Sequence, residues 1–270
     1  MKNTGCELCA FENPKPTATA IFIKNGRLLV LKRNIPPFQN KWDFMGGYIE
    51  KNETPEEALR REIKEELNID AESLFYIGVF TGVGFYKKYE YPTLCFAYFV
   101  ELKGEIKLNE ENSEYAWLRP DEIDIAFDSN QKILEFIKNK FTYDLNKARE
   151  LVSQLDSTAV LNEQSLYKAI LDGYVSTVEE GGEFIGMGWI FPRQTMLRRQ
   201  AVIEDMIVDD RYRGKGLGEK ILLDLLRWAK SNGVEVVELT TNPKRIAANA
   251  LYQKVGFKLH ETNHYLLKLI

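Results

Sequence analysis

Cysteine is scarce: three residues in 270, with only two histidines beside them. That rules out a disulfide framework. Cys6 and Cys9 have the spacing of a zinc knuckle, yet structural zinc takes four ligands. Cys95 sits in a strand-like run, and His260 and His264 lie near the other end of the chain. A zinc site within one chain is therefore not expected, and only a homodimer could complete the shell. Basic excess is also lacking: the formal charge is −4, with 36 Lys+Arg against 40 Asp+Glu. Residues 1–140 hold 19 basic and 23 acidic side chains, and residues 141–270 hold 17 of each. Neither half carries the footprint of a nucleic-acid binder. Long apolar runs are missing too. Leu94–Val100 is far too short to cross a bilayer, and Met1–Pro16 has no apolar core of a secretory signal. A cytoplasmic protein with no membrane partner is expected.

What is present is the composition of a globular protein, 44% apolar and 28% charged, in a chain long enough for two cores. Thr17–Ile23 and Leu28–Lys32 are β-branched and aliphatic runs joined through Asn25-Gly26, a hairpin signal. Thr54-Pro55-Glu56-Glu57 opens a helix with an N-cap, a proline at the first turn and a capping box. Leu59, Ile63 and Leu67 give that helix a buried stripe. Strands are predicted over 74–85 and 93–102, and a helix over 129–140, with a domain boundary just after it. Beyond the boundary, helices are predicted over 145–155 and 164–170, and strands over 174–179, 183–191 and 199–208. An amphipathic helix over 217–230 stops at Asn232-Gly233. A strand over 234–241, a helix over 247–255 and a last strand over 264–270 complete the chain.

The first chemical constellation is acidic. Positions three and four apart on a helix are neighbours, so Glu62 lies beside Glu65 and Glu66, opposite the Leu59/Ile63/Leu67 stripe. Three like charges at that spacing weaken a helix unless a cation holds them, and oxygen ligands suit a hard divalent ion that also holds phosphate. Gly47, five residues, Glu53, seven residues, then Arg61-Glu62-Ile63-Lys64-Glu65-Glu66-Leu67-Asn68-Ile69 resembles the Nudix box. Asn68 stands where the family has glycine; it tolerates the left-handed conformation a helix end needs. Met45 replaces a proline common before the two glycines. The resemblance covers the first half. It implies that Glu62, Glu65, Glu66 and the carbonyl of Gly46 hold Mg²⁺ or Mn²⁺, and that one of the carboxylates or Glu114 orients the attacking water. The implied substrate is a nucleoside diphosphate derivative. The segment 6–16 resembles the second half of a zinc ribbon that precedes some Nudix domains.

The second constellation is a glycine loop. Val202–Val208 reads as a strand, and Arg213-Gly214-Lys215-Gly216-Leu217-Gly218 runs into a helix, where backbone N–H groups and the helix dipole favour an anion. The loop is neither a dinucleotide fingerprint nor a P-loop. With Asn249-Ala250-Leu251-Tyr252-Gln253-Lys254-Val255-Gly256-Phe257 downstream, it resembles the GNAT acetyltransferases over about 145–270. That likeness implies an acetyl-CoA pyrophosphate on the amides of Arg213, Gly214, Lys215, Gly216, Leu217 and Gly218. It implies the pantetheine beside Met206, Ile207 and Val208, and a cofactor contact from Asn249. Tyr252 would protonate the leaving thiolate. Glu204 or Asp205 is the candidate base toward an amine acceptor. Side chains alternate along a strand, so only one of those two is expected to face the cleft.

Together these readings give a mixed α/β (α+β) chain of two domains: a Nudix α/β/α sandwich with a mixed sheet over residues 1–140, then a GNAT fold with a central, splayed mixed sheet over 141–270. The expected function is bifunctional, combining hydrolysis with acetyl transfer. The alternative is a Nudix hydrolase or nucleotide sensor whose second domain only binds coenzyme A.

Overall fold

A computed structural model describes residues 13–86, 89–140, 144–267 and 269. Cys6 and Cys9, and the ribbon-like segment up to residue 12, lie outside the described residues. The chain divides into two compact units. The first is Met1–Leu145 with Asn162–Leu171, and the second is Asn146–Leu161 with Asp172–Ile270. Among the described residues no helix is long and apolar enough to cross a membrane.

In the first unit β1 (Lys15–Ile21) is central. Its Ala18, Ala20 and Ile21 are fully buried. It pairs parallel with β7 (Tyr89–Lys103) and antiparallel with β5 (Met45–Tyr48), and β6 (Asp70–Tyr86) closes the far edge, giving the order β5-β1-β7-β6. The Asn25-Gly26 turn forms as the sequence predicts. Both residues have positive φ, 52° and 68°, which matches the twist of a two-residue hairpin. It joins β2 (Ile23–Lys24) to β3 (Arg27–Arg33), the centre of a second sheet with β4 (Trp42–Asp43) and β8 (Asn112–Leu118). Helix α1 (Pro55–Leu67) lays Leu59, Ile63 and Leu67, all fully buried, against Ala18, Ala20, Leu29 and Leu31. Each such side chain contributes about 1.5–3 kcal/mol on burial. Helix α2 (Asp128–Lys140) packs on β6.

Two helices follow, α3 (Leu145–Leu155) and α4 (Glu163–Asp172). Apart from its last residue, α4 belongs to the first unit. The amides of Asn25 and Gly26 donate to the Glu163 carboxylate at 2.8 and 2.9 Å. Lys168 pairs with Glu101 at 3.0 Å and lies over the Phe75 ring, while Tyr167 meets Phe99 edge-on.

The second unit is one mixed sheet in the order β12-β11-β10-β9, from β9 (Tyr174–Glu180), β10 (Glu183–Gln194), β11 (Arg199–Val208) and β12 (Val236–Leu239). Helix α5 (Leu217–Ser231) buries Ile221, Leu222 and Leu225 against Ile185, Ile190 and Ile203. Helix α6 (Ile246–Val255) ends at Gly256 in the left-handed conformation. The sheet splays as the fold requires. β11 and β12 pair in parallel from Gln200 to Ile203 and then part, so Glu204–Val208 has no ladder partner on that side among the described residues.

The strand expected over 264–270 is absent among the described residues of that segment. Tyr265, Leu266, Leu267 and Leu269 are at least 80% exposed there. Strand propensity reflects packing on a paired, half-buried surface, and the described residues of this segment pair with no strand edge.

Candidate functional site

The capping box of α1 forms as the sequence predicts: Glu57 N–H donates to Thr54 Oγ1 at 3.2 Å and Thr54 N–H to the Glu57 carboxylate at 2.8 Å. Asn68 ends the helix at φ 55°. This fixes which face meets β5. Gly47 is so close to Glu62 that a Cβ there would lie 2.0 Å from Glu62 Oε1, and a side chain at Gly46 would strike the Ala18 carbonyl at 2.2 Å. Gly47 thus lets the acidic face of α1 close on the β5 backbone, and Gly46 lets β5 lie close against β1.

Arg61 organises that face. Its guanidinium holds Glu53 through two bonds of 2.8 and 3.0 Å, donates to Glu62 at 2.8 Å and to the Tyr48 carbonyl at 3.1 Å, and reaches Glu65 at 3.5 Å. The Arg61 hydrogen bonds hold the Glu53 carboxyl well below the usual range. Glu66 has the opposite environment. It is 9% exposed, and burial pushes its carboxyl up to about 8; the charges of Glu62, Glu111 and Asp43 add to this, while a 2.8 Å bond from Asn112 opposes it. Burial, with help from the charges of Glu65 and Glu111, also raises Glu62, against Arg61.

Glu62 and Glu66 therefore share one electrostatic neighbourhood, and Glu65 stands more than half exposed at its rim. Glu114 is elsewhere. It is bound to Lys32 at 2.8 Å on the exposed side of the β3–β8 ladder. The loop carboxylate whose charge reaches the cluster is Glu111, which the sequence reading missed. Its signal was available in Glu110-Glu111-Asn112, where Asn112 brings the Glu66 bond. As the side chains stand, no group of three His, Cys, Asp or Glu among the described residues is gathered around one point as metal ligands; Arg61 lies between Glu53, Glu62 and Glu65.

The second site begins with a bulge in β11. Trp189 pairs with Glu204 and Met187 with Ile207, so Gly188 alone stands opposite Asp205 and Met206. Asp205 adopts a left-handed φ of 51°. A bulge breaks strand alternation, so the expectation that only one of Glu204 and Asp205 faces the cleft loses its physical basis. Burial raises both carboxyls; the Asp205 charge adds to the effect on Glu204 and the charge of His264 opposes it. Met206 and Val208 pack partly into the core and Ile207 is buried.

Asp209, 1% exposed, anchors the loop that follows: it accepts from the Arg211 amide at 3.0 Å and pairs with Lys147 of α3 at 3.0 Å. The Arg211 and Lys147 contacts hold its carboxyl far below the usual range. Arg213 donates through Nε to the Val208 carbonyl at 3.1 Å and pairs with Asp210. Lys215 pairs with Glu180 at 3.0 Å over the Tyr212 ring. Gly214 and Gly216 take φ of 80° and 78° with open space around each, and Gly216 is the N-cap of α5, followed by Leu217 and Gly218. Asn249 donates to the carbonyls of Asn242 and Arg245 at 3.1 and 2.9 Å, pinning the turn before α6. Tyr252 is half-buried, edge-on to Phe257. Burial raises its hydroxyl, the Glu204 charge adds to that, and Arg245 opposes it. Tyr252 and Glu204 therefore sense one another across the splay.

The model of the NUDIX domain family matches residues 14–140, and that of the Acetyltransferase (GNAT) family matches residues 133–257. The chain joins a Nudix domain to a GNAT domain. On the GNAT side it is 36% identical over 66 residues to the uncharacterized N-acetyltransferase YobR of Bacillus subtilis, covering 24% of this chain and 27% of that protein. It is 41% identical over 59 residues to the glucosamine 6-phosphate N-acetyltransferase of Trypanosoma brucei brucei, covering 22% and 38%. The chain thus spans well under half the length of these two relatives. On the Nudix side it is 27% identical over 129 residues to the ADP-ribose pyrophosphatase of Methanocaldococcus jannaschii, covering 47% and 76%.

Proposed function

We propose that the chain is a bifunctional enzyme: a divalent-metal-dependent hydrolase of a nucleoside diphosphate derivative and an acetyl-CoA-dependent N-acetyltransferase. The observation that carries the first activity is Glu66, a carboxyl buried beside Glu62 and within the field of Glu111, whose deprotonation costs energy unless a cation offsets it. The donors fit a hard divalent ion, because Glu62, Glu65, Glu66 and the Gly46 carbonyl are all oxygen ligands. When bound there, Mg²⁺ or Mn²⁺ neutralises phosphoryl oxygen charge and acidifies water. Arg61 keeps Glu53 and Glu62 in place. A carboxylate of the cluster takes the proton of the attacking water; Glu111 is the loop residue in electrostatic reach, with Glu114 committed to Lys32. Water adds to phosphorus, the bond to the leaving phosphate breaks, and two monophosphates result.

In the second activity the amides of residues 213–218 take the coenzyme A pyrophosphate at the N-terminus of α5. Arg213 and Lys215 exchange their carboxylate partners for it. The bulge and the missing ladder partner at Glu204–Val208 leave backbone groups for the pantetheine. The amine attacks the thioester carbonyl, Glu204 takes its proton, the C–S bond breaks, and Tyr252 returns a proton to the thiolate. Two assays on the full chain test this reading. One is release of phosphomonoester from ADP-ribose and other nucleoside diphosphate derivatives with Mg²⁺ or with chelator. The other is release of free coenzyme A with a panel of amines that includes glucosamine 6-phosphate. Hydrolysis insensitive to chelator would remove the metal, and a chain that binds coenzyme A without acetylating any amine would reduce the second unit to a binding domain.

A further inference from the structure

The glycine loop 213–218 is held mainly at its ends. A Cβ added at Gly214 or Gly216 would meet nothing within 4 Å, and glycine leaves a left-handed conformation as readily as it enters one. Arg213 and Lys215 pair with exposed carboxylates, which constrain a backbone little. Downstream the loop runs into α5, whose Ile221, Leu222 and Leu225 are fully buried. Upstream it leaves the turn 209–212, and that turn is held from α3.

Lys147, Leu151 and Gln154 follow one another at spacings of four and three residues, so they share a face of α3. Leu151 is fully buried. Lys147 is only 7% exposed, which a lysine tolerates when it is paired. Its ammonium meets Glu183 at 2.9 Å, Asp209 at 3.0 Å and Glu150 at 3.1 Å. The buried Asp209 carboxylate also accepts from the Arg211 amide at 3.0 Å and from its guanidinium at 2.9 and 3.1 Å. The Asp209 backbone is tied as well: its N–H donates to the Ile185 carbonyl, and its carbonyl accepts from the Tyr212 amide, both at 2.9 Å. Two turns along α3, Gln154 accepts from the Asp210 amide at 3.0 Å. Glu183, at the start of β10, accepts from the Arg211 guanidinium at 3.0 Å and the Tyr212 hydroxyl at 2.9 Å.

We infer that α3 is a working part of the coenzyme A site. Lys147 and Gln154 are positioning residues that act through Asp209 and Asp210, holding the turn 209–212 so that the amides of 213–218 are aimed before the pyrophosphate arrives. The inference rests on the acetyltransferase reading above. Neither residue touches the cofactor in this assignment, and neither enters the acetyl-transfer step. A buried ion pair returns little net stability, because desolvation offsets its attraction. What it fixes here is geometry, and donors fixed beforehand bind an anion without the cost of ordering them.

The test is an acetyl-CoA titration of the full chain by calorimetry, with the melting temperature read beside it. Lys147→Met keeps the stem and deletes the charge. It is expected to weaken acetyl-CoA binding about tenfold in a chain that still melts well above the assay temperature. Lys147→Arg, which restores the charge, is expected to recover most of that loss. A Kd within about twofold of wild type in folded Lys147→Met overturns the inference. So does a loss as large in Lys147→Arg as in Lys147→Met, which would put packing rather than charge at work. Should Lys147→Met not fold, the Kd is taken from Gln154→Ala at an exposed position. Loss of the Asp210 bond is expected to weaken binding there about threefold, and an unchanged Kd overturns the inference. A wild-type chain that binds no acetyl-CoA overturns the acetyltransferase reading itself.

Discussion

The two sites solve opposite electrostatic problems with opposite materials. In the Nudix unit the proposed ligand is a cation, and what the protein offers it is side chains: Glu66 is buried beside Glu62, and Arg61 is bonded to Glu62 as the counter-charge. In the GNAT unit the proposed ligand is an anion, and what the protein offers it is backbone, with Gly214 and Gly216 at positive φ before α5. Its side-chain cations, Arg213 and Lys215, stand more than half exposed in pairs with Asp210 and Glu180. The difference teaches where each site is vulnerable: the first to loss of one buried charge, the second to loss of a backbone conformation.

Three substitutions put that contrast at risk. The largest effect is expected from Glu66→Gln, which keeps shape and the Asn112 contact but removes charge from the cluster. Metal-dependent hydrolysis should fall by about a thousandfold or more, with acetyl-CoA affinity unchanged in a binding titration. Hydrolysis within a few-fold of wild type would move the metal away from α1. Next is Tyr252→Phe, which deletes a hydroxyl and keeps the ring on Phe257. Acetyl transfer should slow by about two to four orders of magnitude while the acetyl-CoA Kd stays put. Equal turnover would take Tyr252 out of the mechanism. Gly216→Ala should weaken acetyl-CoA binding about tenfold, because a left-handed L-residue costs roughly 1–2 kcal/mol, and should leave hydrolysis alone. Unaltered binding would mean that the loop backbone is not the anion site.

How far these sites were legible depended on how local their determinants are. The α1 cap, its stripe and its acidic face are set by neighbours within one turn, so the sequence shows them. Glu111 reaches the cluster through long-range contacts, namely the β3–β8 pairing, whose register shifts between Lys32 and Arg33, and the bonds from Lys107 and Asn109 to the carbonyls of Leu67 and Glu66; no local pattern reports them. The left-handed Asp205 sits in a run that reads as an ordinary strand, and its bulge is created by pairing with Gly188. Helix α4 was legible as a helix because its apolar positions recur. What it packs on was not, since a stripe says that a face is buried but not against which sheet. The segment 264–270 shows the converse, where propensity is present and the partner edge is missing.

The smallest expected effect concerns Asp43, a buried carboxyl of the Nudix unit whose charge reaches Glu66. It accepts from Asn130 Nδ2 at 2.6 Å and from the Phe44 amide at 3.0 Å, with Arg33 3.5 Å away. Burial lifts its carboxyl from 3.8 to about 7, against those three contacts. A raised carboxyl favours folding in its protonated form. Its contribution is therefore complete below about pH 4 and is lost as pH rises through about 7. Asp43→Asn should leave the melting temperature near wild type below about pH 4 and raise it at pH 8. A variant less stable than wild type at pH 8 would show that the Asp43 charge is held by Arg33 rather than penalised by burial.

The central claim is that one chain carries two independent active sites, and one titration addresses it most directly. Nucleoside diphosphate derivatives, ADP-ribose among them, are supplied to the full chain with Mg²⁺ across a range of acetyl-CoA concentrations, and phosphate-ester cleavage and acetyl-CoA binding are read in the same samples. The account predicts cleavage that requires the metal, saturable acetyl-CoA binding, and a hydrolytic rate that does not change as acetyl-CoA saturates. Cleavage that persists in chelator, or a hydrolytic rate that rises or falls with acetyl-CoA occupancy, would contradict it.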